Sequence, residues 1–564
     1  MSSETFEQPA SRNQTEIFAV HGADPEVLAF AMAKYSRSAL SMRESLTEIS
    51  SQRAEQFLNT FYFQYGHRSI ADLAHIAFAV ERLSLLAAIE LVDEQRWDGQ
   101  ERSTRYQNFL KSGWYLPDFG SDAAAADLYK QTVENLFAVY QRTTAAVLEV
   151  LRKRIPCPET LKPEAYERTL KARAFDVARY LLPLATNTSL GQIVSARTLE
   201  TQVSRLLSSP LAEIRDLGEK LRESATGSAW NVGAPAAEAL VEKIAALEEK
   251  AAVLEGVEAL KGHDFSRANT SAQKEGALAP EGSLAAEAAA QLTRQVRTAP
   301  TLVKYAQPNE YQTATKAELA TVAAELLAAL PAEAQPHAVV DLVERTETLE
   351  VELAATLLYS ASHHSYRRIR DLVASLPEAR VNEIVEIGLR HRGRHDEALR
   401  AFHAGAALRF DILMDIGGFR DMHRHRRCTQ IIQGFTSVHG FETPDCGDLS
   451  ADVDLLAEAG ILSEFTSAIE SAHAASATIA ASQAPEAAQS ALYLLPLATR
   501  IRSLFKMDFA EAQYITELRS APAGHFSYRR VAWEMYKALE RQHPSLAKHL
   551  RVTDFTQPID LLQR

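Results

Sequence analysis

The heptapeptide Tyr-Leu-Leu-Pro-Leu-Ala-Thr occurs twice in this chain, at 180–186 and at 493–499, a spacing of 493 − 180 = 313 residues. Shared helix or strand propensity would not reproduce an internal proline and a closing threonine, so the identity marks a duplication. The order of elements upstream of each copy agrees. Ile17–Val20 is a short apolar run before a helix that starts near Pro25 and ends on Tyr35-Ser36-Arg37-Ser38. Ala338–Val343 is a second such run, before a helix that ends on Tyr359-Ser360-Ala361-Ser362. Two tandem copies of roughly 220 residues constrain the fold to two homologous domains.

The intervening chain divides accordingly. Residues 1–16 read as a disordered lead-in, 17–230 as the first domain, 231–335 as a helical connecting insert and 336–564 as the second domain. In the first domain, helical spacing of apolar residues predicts helices over 47–64 and 123–153. In the insert, Leu240, Ile244, Leu247, Ala251 and Leu254 step by four and three on an Ala/Glu/Lys background, a coiled-coil-like pattern. The stretch 262–282 is polar and Gly/Ser/Pro-bearing, hence a loop, and 284–334 is helical with a break near Pro308. The fold class is α/β, each domain a mixed β-sheet packed with helices.

Composition excludes several function classes. Apolar content of 46% with 24% charged residues is that of a globular protein, and no apolar run is long enough for a membrane span. The N-terminus is polar, without the apolar core of a secretory signal. Three scattered cysteines, Cys157, Cys428 and Cys446, form no disulfide framework, which suits the cytoplasm. A net charge of −13 disfavours a broad nucleic-acid footprint, so anion recognition must be local.

One local site stands out. Arg420, Asp421, His423, Arg424, His425, Arg426 and Arg427 follow the apolar run Phe410–Gly417, which reads as buried. A basic cluster delivered by a buried element suggests an anion pocket, although a solvated basic turn has the same composition. A zinc site from His423, His425, Cys428 and Cys446 lacks paired ligand spacing, and no metal is expected. Ser103 to Tyr106 reads equally as a helix cap. Arg179 and Arg519 read equally as surface ion-pair residues, and His67 as a structural histidine.

Taken together, residues 424–429 (Arg-His-Arg-Arg-Cys-Thr) and 100–106 (Gln-Glu-Arg-Ser-Thr-Arg-Tyr) resemble the flavin-dependent thymidylate synthases. Their signature is one motif, RHRxxSxNExSxRY, here divided between the copies. Aligning the copies sets Asp93-Glu94-Gln95 opposite Arg424-His425-Arg426, an offset of 424 − 93 = 331. The first copy keeps the tail of the motif and the second keeps RHR. Downstream, Arg179 occupies the place of a nucleotide-binding arginine before Pro183, where the second copy has Leu492. Ser195-Ala196-Arg197 resembles a flavin-contacting Asn-Ala-Arg, and Arg519 with His525 resembles the arginine that polarises the pyrimidine. Gly66-His67-Arg68-Ser69 with Asp72 resembles the flavin-binding GHxTxxEH, with Asp72 for Glu and Leu73 for the last His. Gln100 stands for Asn and Asp421 for a nucleotide-contacting Gln.

The resemblance implies methylation of dUMP to dTMP with FAD as cofactor and NADPH and methylenetetrahydrofolate as co-substrates. It assigns Arg519 to catalysis. It assigns Gln100, Glu101, Ser103, Thr104, Arg105, Tyr106, Arg179 and Arg424 to the nucleotide, and His67, Ser69, Ser195, Arg197, Arg424, His425 and Arg426 to the flavin. Family sites form between subunits of homotetramers, so a fused chain is expected to pair as a homodimer with one composite site per chain. The alternatives are an inactive flavin- or nucleotide-binding interaction protein, or an enzyme acting on another pyrimidine nucleotide.

Overall fold

A computed structural model describes residues 24–34, 68–230, 306–328, 339–343, 347–391, 399–402, 408–444, 454–547, 550–558 and 560–562, with positions 243, 298 and 301. The predicted strand at 17–20, the helix over 47–64, the coiled-coil-like segment, the loop at 262–282, His67 and Cys446 lie outside the described residues. No described helix is long and apolar enough to cross a membrane.

The chain divides into two compact units. The smaller comprises 1–76, 195–197 and 222–304. In it, the backbone N–H of Ala196 donates to the carbonyl of Ala74 at 2.8 Å, and that of Thr301 donates to Glu26 Oε1 at 2.8 Å. The larger comprises 77–194, 198–221 and 305–564, and it holds nearly all of both sheets.

The first sheet contains β1 (His75–Ser84), β2 (Asp98–Glu101) and β3 (Asn187–Ser195) in the order β1-β3-β2. The second contains β4 (Val340–Leu342), β5 (Leu408–Asp415), β6 (Thr429–Ile432) and β7 (Arg500–Met507) in the order β4-β5-β7-β6. Beyond the extra edge strand β4, order and register repeat. Asp98 pairs with Ile193 in the first sheet, and Thr429 pairs with Lys506 in the second. Those partners are related by 429 − 98 = 331 and 506 − 193 = 313, the two offsets found in the sequence. The α/β class holds, with two small antiparallel sheets where mixed ones were expected. Short connections and local pairing suffice for antiparallel strands, whereas parallel ones need long crossovers.

The helices that position the site are α1 (Leu85–Leu91), α2 (Ala123–Arg154), α3 (Pro163–Ala178), α4 (Leu349–Ser360), α5 (Ile416–Met422), α6 (Leu462–Ala480), α7 (Phe509–Ser520) and α8 (Phe526–Gln542). Helix α2 starts where Asp122 accepts from the Ala125 N–H at 3.0 Å and ends in Arg152, Lys153 and Arg154, charges that suit each end of the helix dipole. Its buried stripe of Tyr129, Val133, Leu136, Tyr140, Val147 and Leu151 packs on α3 and α6. Strand β5 is buried along its whole length. Its alternation places Phe410, Ile412 and Met414 on one face and Arg409 and Asp411 on the other. The buried charges are matched: Asp411 with Arg502 at 3.0 Å, and Glu352 of α4 with both Arg409 at 3.0 Å and Lys506 at 3.1 Å.

The repeated heptapeptides meet each other. Leu184 and Ala185 donate backbone N–H bonds to the carbonyls of Leu495 and Tyr493, at 2.9 and 2.8 Å. Leu497 and Ala498 return the equivalent bonds to Leu182 and Tyr180, at 2.9 and 3.0 Å. A pseudo-twofold axis therefore passes by the Pro183–Pro496 bridge. Because the axis lies here, residues just before Tyr180 reach the second copy. Arg179 is one of them.

Candidate functional site

Arg105 follows the β2 edge and is 7% exposed. Its Nε and Nη2 donate to the two oxygens of Asp176, at 2.8 and 3.2 Å, and Nη1 donates to Tyr528 Oη at 2.8 Å. Nη2 also donates to the carbonyl of Ala523 at 3.2 Å. Asp176 lies in the last turn of α3, 2% exposed, where the helix dipole disfavours a carboxylate. The forked pairing with Arg105 offsets that cost. Burial lowers the Arg105 pKa and Asp176 more than restores it, so the guanidinium stays charged. The link joins the first copy to α8 of the second.

Arg179 caps the C-terminus of α3 and is 1% exposed. Its Nη1 donates to Asp421 Oδ2 at 3.3 Å. Its Nε and Nη2 have no hydrogen-bond partner among the described residues. Both lie against Gly417, where an added Cβ would come within 3.5 Å of each. Asp415 caps α5 by accepting from the Gly418 N–H at 2.6 Å, and it also accepts from the Ser527 hydroxyl. An added Cβ at Gly418 would instead collide with Ser527 Oγ and Met414, so that glycine is needed for the packing of α5 on α8. Burial raises the Asp421 pKa, but the positive charges of Arg179, Arg105, Arg424 and Arg519 together hold it down to about 2.

The third element is a relay. His425 is buried, with Nε2 accepting from Arg519 Nε at 2.7 Å and Nδ1 3.5 Å from Glu511 Oε1. Burial, with help from Arg519, lowers the histidine pKa against the opposing pull of Glu511. The ring is therefore neutral, with its proton on Nδ1 and its lone pair toward Arg519. Arg519 also lies over the Tyr528 ring, 5.3 Å from the centroid, while Arg105 lies 5.6 Å from the same centroid. His525 is likewise kept neutral, by burial and by Arg179, with Nε2 2.9 Å from the Asp176 carbonyl and Nδ1 accepting from the Ser527 N–H at 3.2 Å.

A family model for the thymidylate synthase complementing protein matches residues 18–229 and again 341–545. The chain belongs to that family. The double match agrees with the tandem duplication. Among full-length relatives, the UPF0159 protein of Chlamydia muridarum is 26% identical, the alignment covering 94% of this chain and 91% of that one. The UPF0159 protein of Thermoplasma acidophilum is 24% identical, covering 93% of this chain and 94% of that one. Two crystal structures of the flavin-dependent thymidylate synthase ThyX of Helicobacter pylori with FAD and dUMP match at 17% and 18% identity. Each covers 36% of this chain and 89% of its own, with a TM-score of 0.24.

Against the family motif, the residues expected at the nucleotide fall into groups. Arg105 and Arg179 from the first copy come together with Arg424 and Arg519 of the second around Asp421. Ser103 accepts from the Arg105 N–H at 3.2 Å, a local turn, and Thr104 is buried beside it. Glu101 forms an ion pair with Arg420. Gln100 and Tyr106 are exposed. Of the residues expected at the flavin, Ser69 and Arg197 belong to the smaller unit, where Ser69 is exposed and Arg197 pairs with Asp72 at 3.2 Å. Ser195 is buried in that unit. Arg426 is engaged with the carbonyls of Glu94 and Val92, each at 3.1 Å, and lies over Trp97. Arg424 is exposed and its side chain makes no hydrogen bond among the described residues.

The pseudo-symmetric place is closed by its own ion pairs. Arg205 donates to Glu94 at 2.8 Å, the counterpart of the bond from Arg519 to His425. Arg400 pairs with Asp93 at 2.5 Å, which also lies 3.0 Å from His423. Leu86 and Ala87 stand where the second copy has Gly417 and Gly418, and Leu492 stands for Arg179. Sequence reasoning missed Asp176, Tyr528, Glu511 and the glycine pair. Only their contacts with residues distant in the chain give them meaning, although Asp176 stands three residues before Arg179 at the end of α3.

Proposed function

We propose that the chain methylates dUMP to dTMP in a flavin-dependent reaction at one composite site per chain. The observation that carries this reading is the meeting of Arg105 and Arg179 with Arg424 and Arg519 around Asp421, where two buried nitrogens of Arg179 find no acceptor among the described residues. A buried guanidinium with unmatched donors calls for a ligand acceptor. Arg105, Arg179, Arg424 and Arg519 outnumber the neighbouring carboxylates Asp176, Asp415 and Asp421, an excess of 4 − 3 = 1 positive charge. An anionic nucleoside monophosphate suits a site with a positive excess.

In this reading Arg179 and Arg424 bind the nucleotide, and Arg105 is held in place by Asp176. Arg519 stabilises charge developing at a pyrimidine carbonyl, help commonly worth about 2.7–4 kcal/mol per donor. Its Nε is fixed by neutral His425, which leaves the terminal nitrogens to face the ligand. FAD, when bound, supplies the redox chemistry, with NADPH as reductant and methylenetetrahydrofolate as carbon donor. The exposed guanidinium of Arg424 fits an electron-rich ring, and buried His425, engaged by Arg519 and Glu511, would act on the flavin through the arginine it positions. His67, Ser69, Ser195 and Arg197 are proposed as further flavin contacts. We further propose a homodimer.

Release of tritium from C5-labelled dUMP, with FAD and NADPH present, tests the reaction. Arg105→Ala and Arg424→Ala should each abolish it, and full activity in either variant would refute the composite site. A colourless protein that takes up no added FAD would refute the flavin reading. One observation favours a second reading within the same class. Asp421 in the arginine cluster suits a different pyrimidine nucleotide, which parallel assays with dUMP and dCMP distinguish.

A further inference from the structure

Asp421 is a carboxylate built into a site that otherwise gathers cations. Its side chain is 17% exposed, so it is reachable from solvent, while its partner Arg179 is 1% exposed. It bonds one nitrogen of Arg179, whose other two find no hydrogen-bond partner among the described residues, and the exposed Arg424 guanidinium lies three residues along the chain. An anion held by the exposed Arg424 guanidinium, backed by buried Arg179, therefore comes to lie beside a resident negative charge.

We propose that Asp421 sets how much negative charge the site accepts, favouring nucleoside monophosphates over nucleotides with longer phosphate chains. The inference rests on the nucleotide reading above. Asp421 is one of three carboxylates, with Asp176 and Asp415, set among the four arginines, and making it neutral raises the charge of the cluster by one unit. That added positive charge would favour a longer, more highly charged phosphate chain. Asp421 also fixes Arg179 through the bond from Nη1, and an amide oxygen at this place preserves that acceptor. Charge and positioning can thus be separated.

The experiment measures equilibrium binding of deoxyuridine, dUMP and dUDP to the full chain and to Asp421→Asn, with thermal melts to establish that the variant is folded. Asp421→Gln provides a second neutral form should Asp421→Asn fail to fold. A phosphate dianion about 6 Å from the carboxylate in a water-like medium predicts roughly tenfold tighter dUMP binding in the neutral variant. The gain should be larger still for dUDP and within about twofold of unity for deoxyuridine, which carries no phosphate. A gain that is equal for all three ligands, or no gain for dUMP, overturns the proposal while leaving the nucleotide reading intact. Failure of every form to bind dUMP overturns both.

Discussion

Breaking the Arg105–Asp176 pair separates what these residues do for the fold from what they do for the ligand. Arg105→Met removes a forked ion pair at 2.8 and 3.2 Å and a bond to Tyr528, and it leaves the Asp176 carboxylate buried. An uncompensated buried charge costs about 3–5 kcal/mol. Asp176→Asn is milder, because the amide oxygen still accepts one bond, and about 1–3 kcal/mol is expected. The double variant holds no buried charge at either place. It should be more stable than Arg105→Met alone, although it carries one more substitution. Urea unfolding followed by tryptophan fluorescence reads the order, and equilibrium dialysis reads dUMP binding. All forms lacking Arg105 should bind poorly, including the double variant. A double variant less stable than Arg105→Met would refute the electrostatic account, since it would mean the carboxylate was not the source of the loss.

Three further outcomes are expected. His425 has a lower pKa folded than the ordinary value near 6.5, so the neutral ring contributes stability above that pH, lost as pH falls towards the folded value. The kcat/KM profile should therefore have an acidic limb below about pH 6.5, and Glu511→Gln, by removing a charge that raises the pKa, should move it to lower pH. Arg427 is 67% exposed and pairs loosely with Asp508 at 3.4 Å, so Arg427→Ala should change stability by no more than about 0.5 kcal/mol and leave tritium release within about twofold of the parent. Cys428 is buried and its thiol is pushed up to about 12 by burial, so Cys428→Ser should leave the number of thiols that react rapidly with a chromogenic disulfide unchanged.

The duplication and the division of the motif between copies could be read without coordinates. A repeated heptapeptide with an internal proline is an identity, and offsets of 313 and 331 residues place Arg179 opposite Leu492 and Arg424 opposite Asp93. The buried run that becomes β5 and the helix over Ala123–Arg154 were also plain, because their burial follows the periodicity of one element. The residues that hold the site arginines had no such pattern.

Tertiary structure decided those. Asp176 matters because Arg105, seventy-one residues away, closes on it, and Glu511 matters because His425 turns Nδ1 toward it. The same holds for the Tyr-Leu-Leu-Pro-Leu-Ala-Thr segments. Sequence shows that they are copies, and only the fold shows that they exchange backbone hydrogen bonds and so carry Arg179 to Asp421 of the second copy. Local periodicity reports which face of an element is buried. Which charge meets which across a pseudo-twofold axis depends on packing between elements distant in the chain, and no local pattern encodes that.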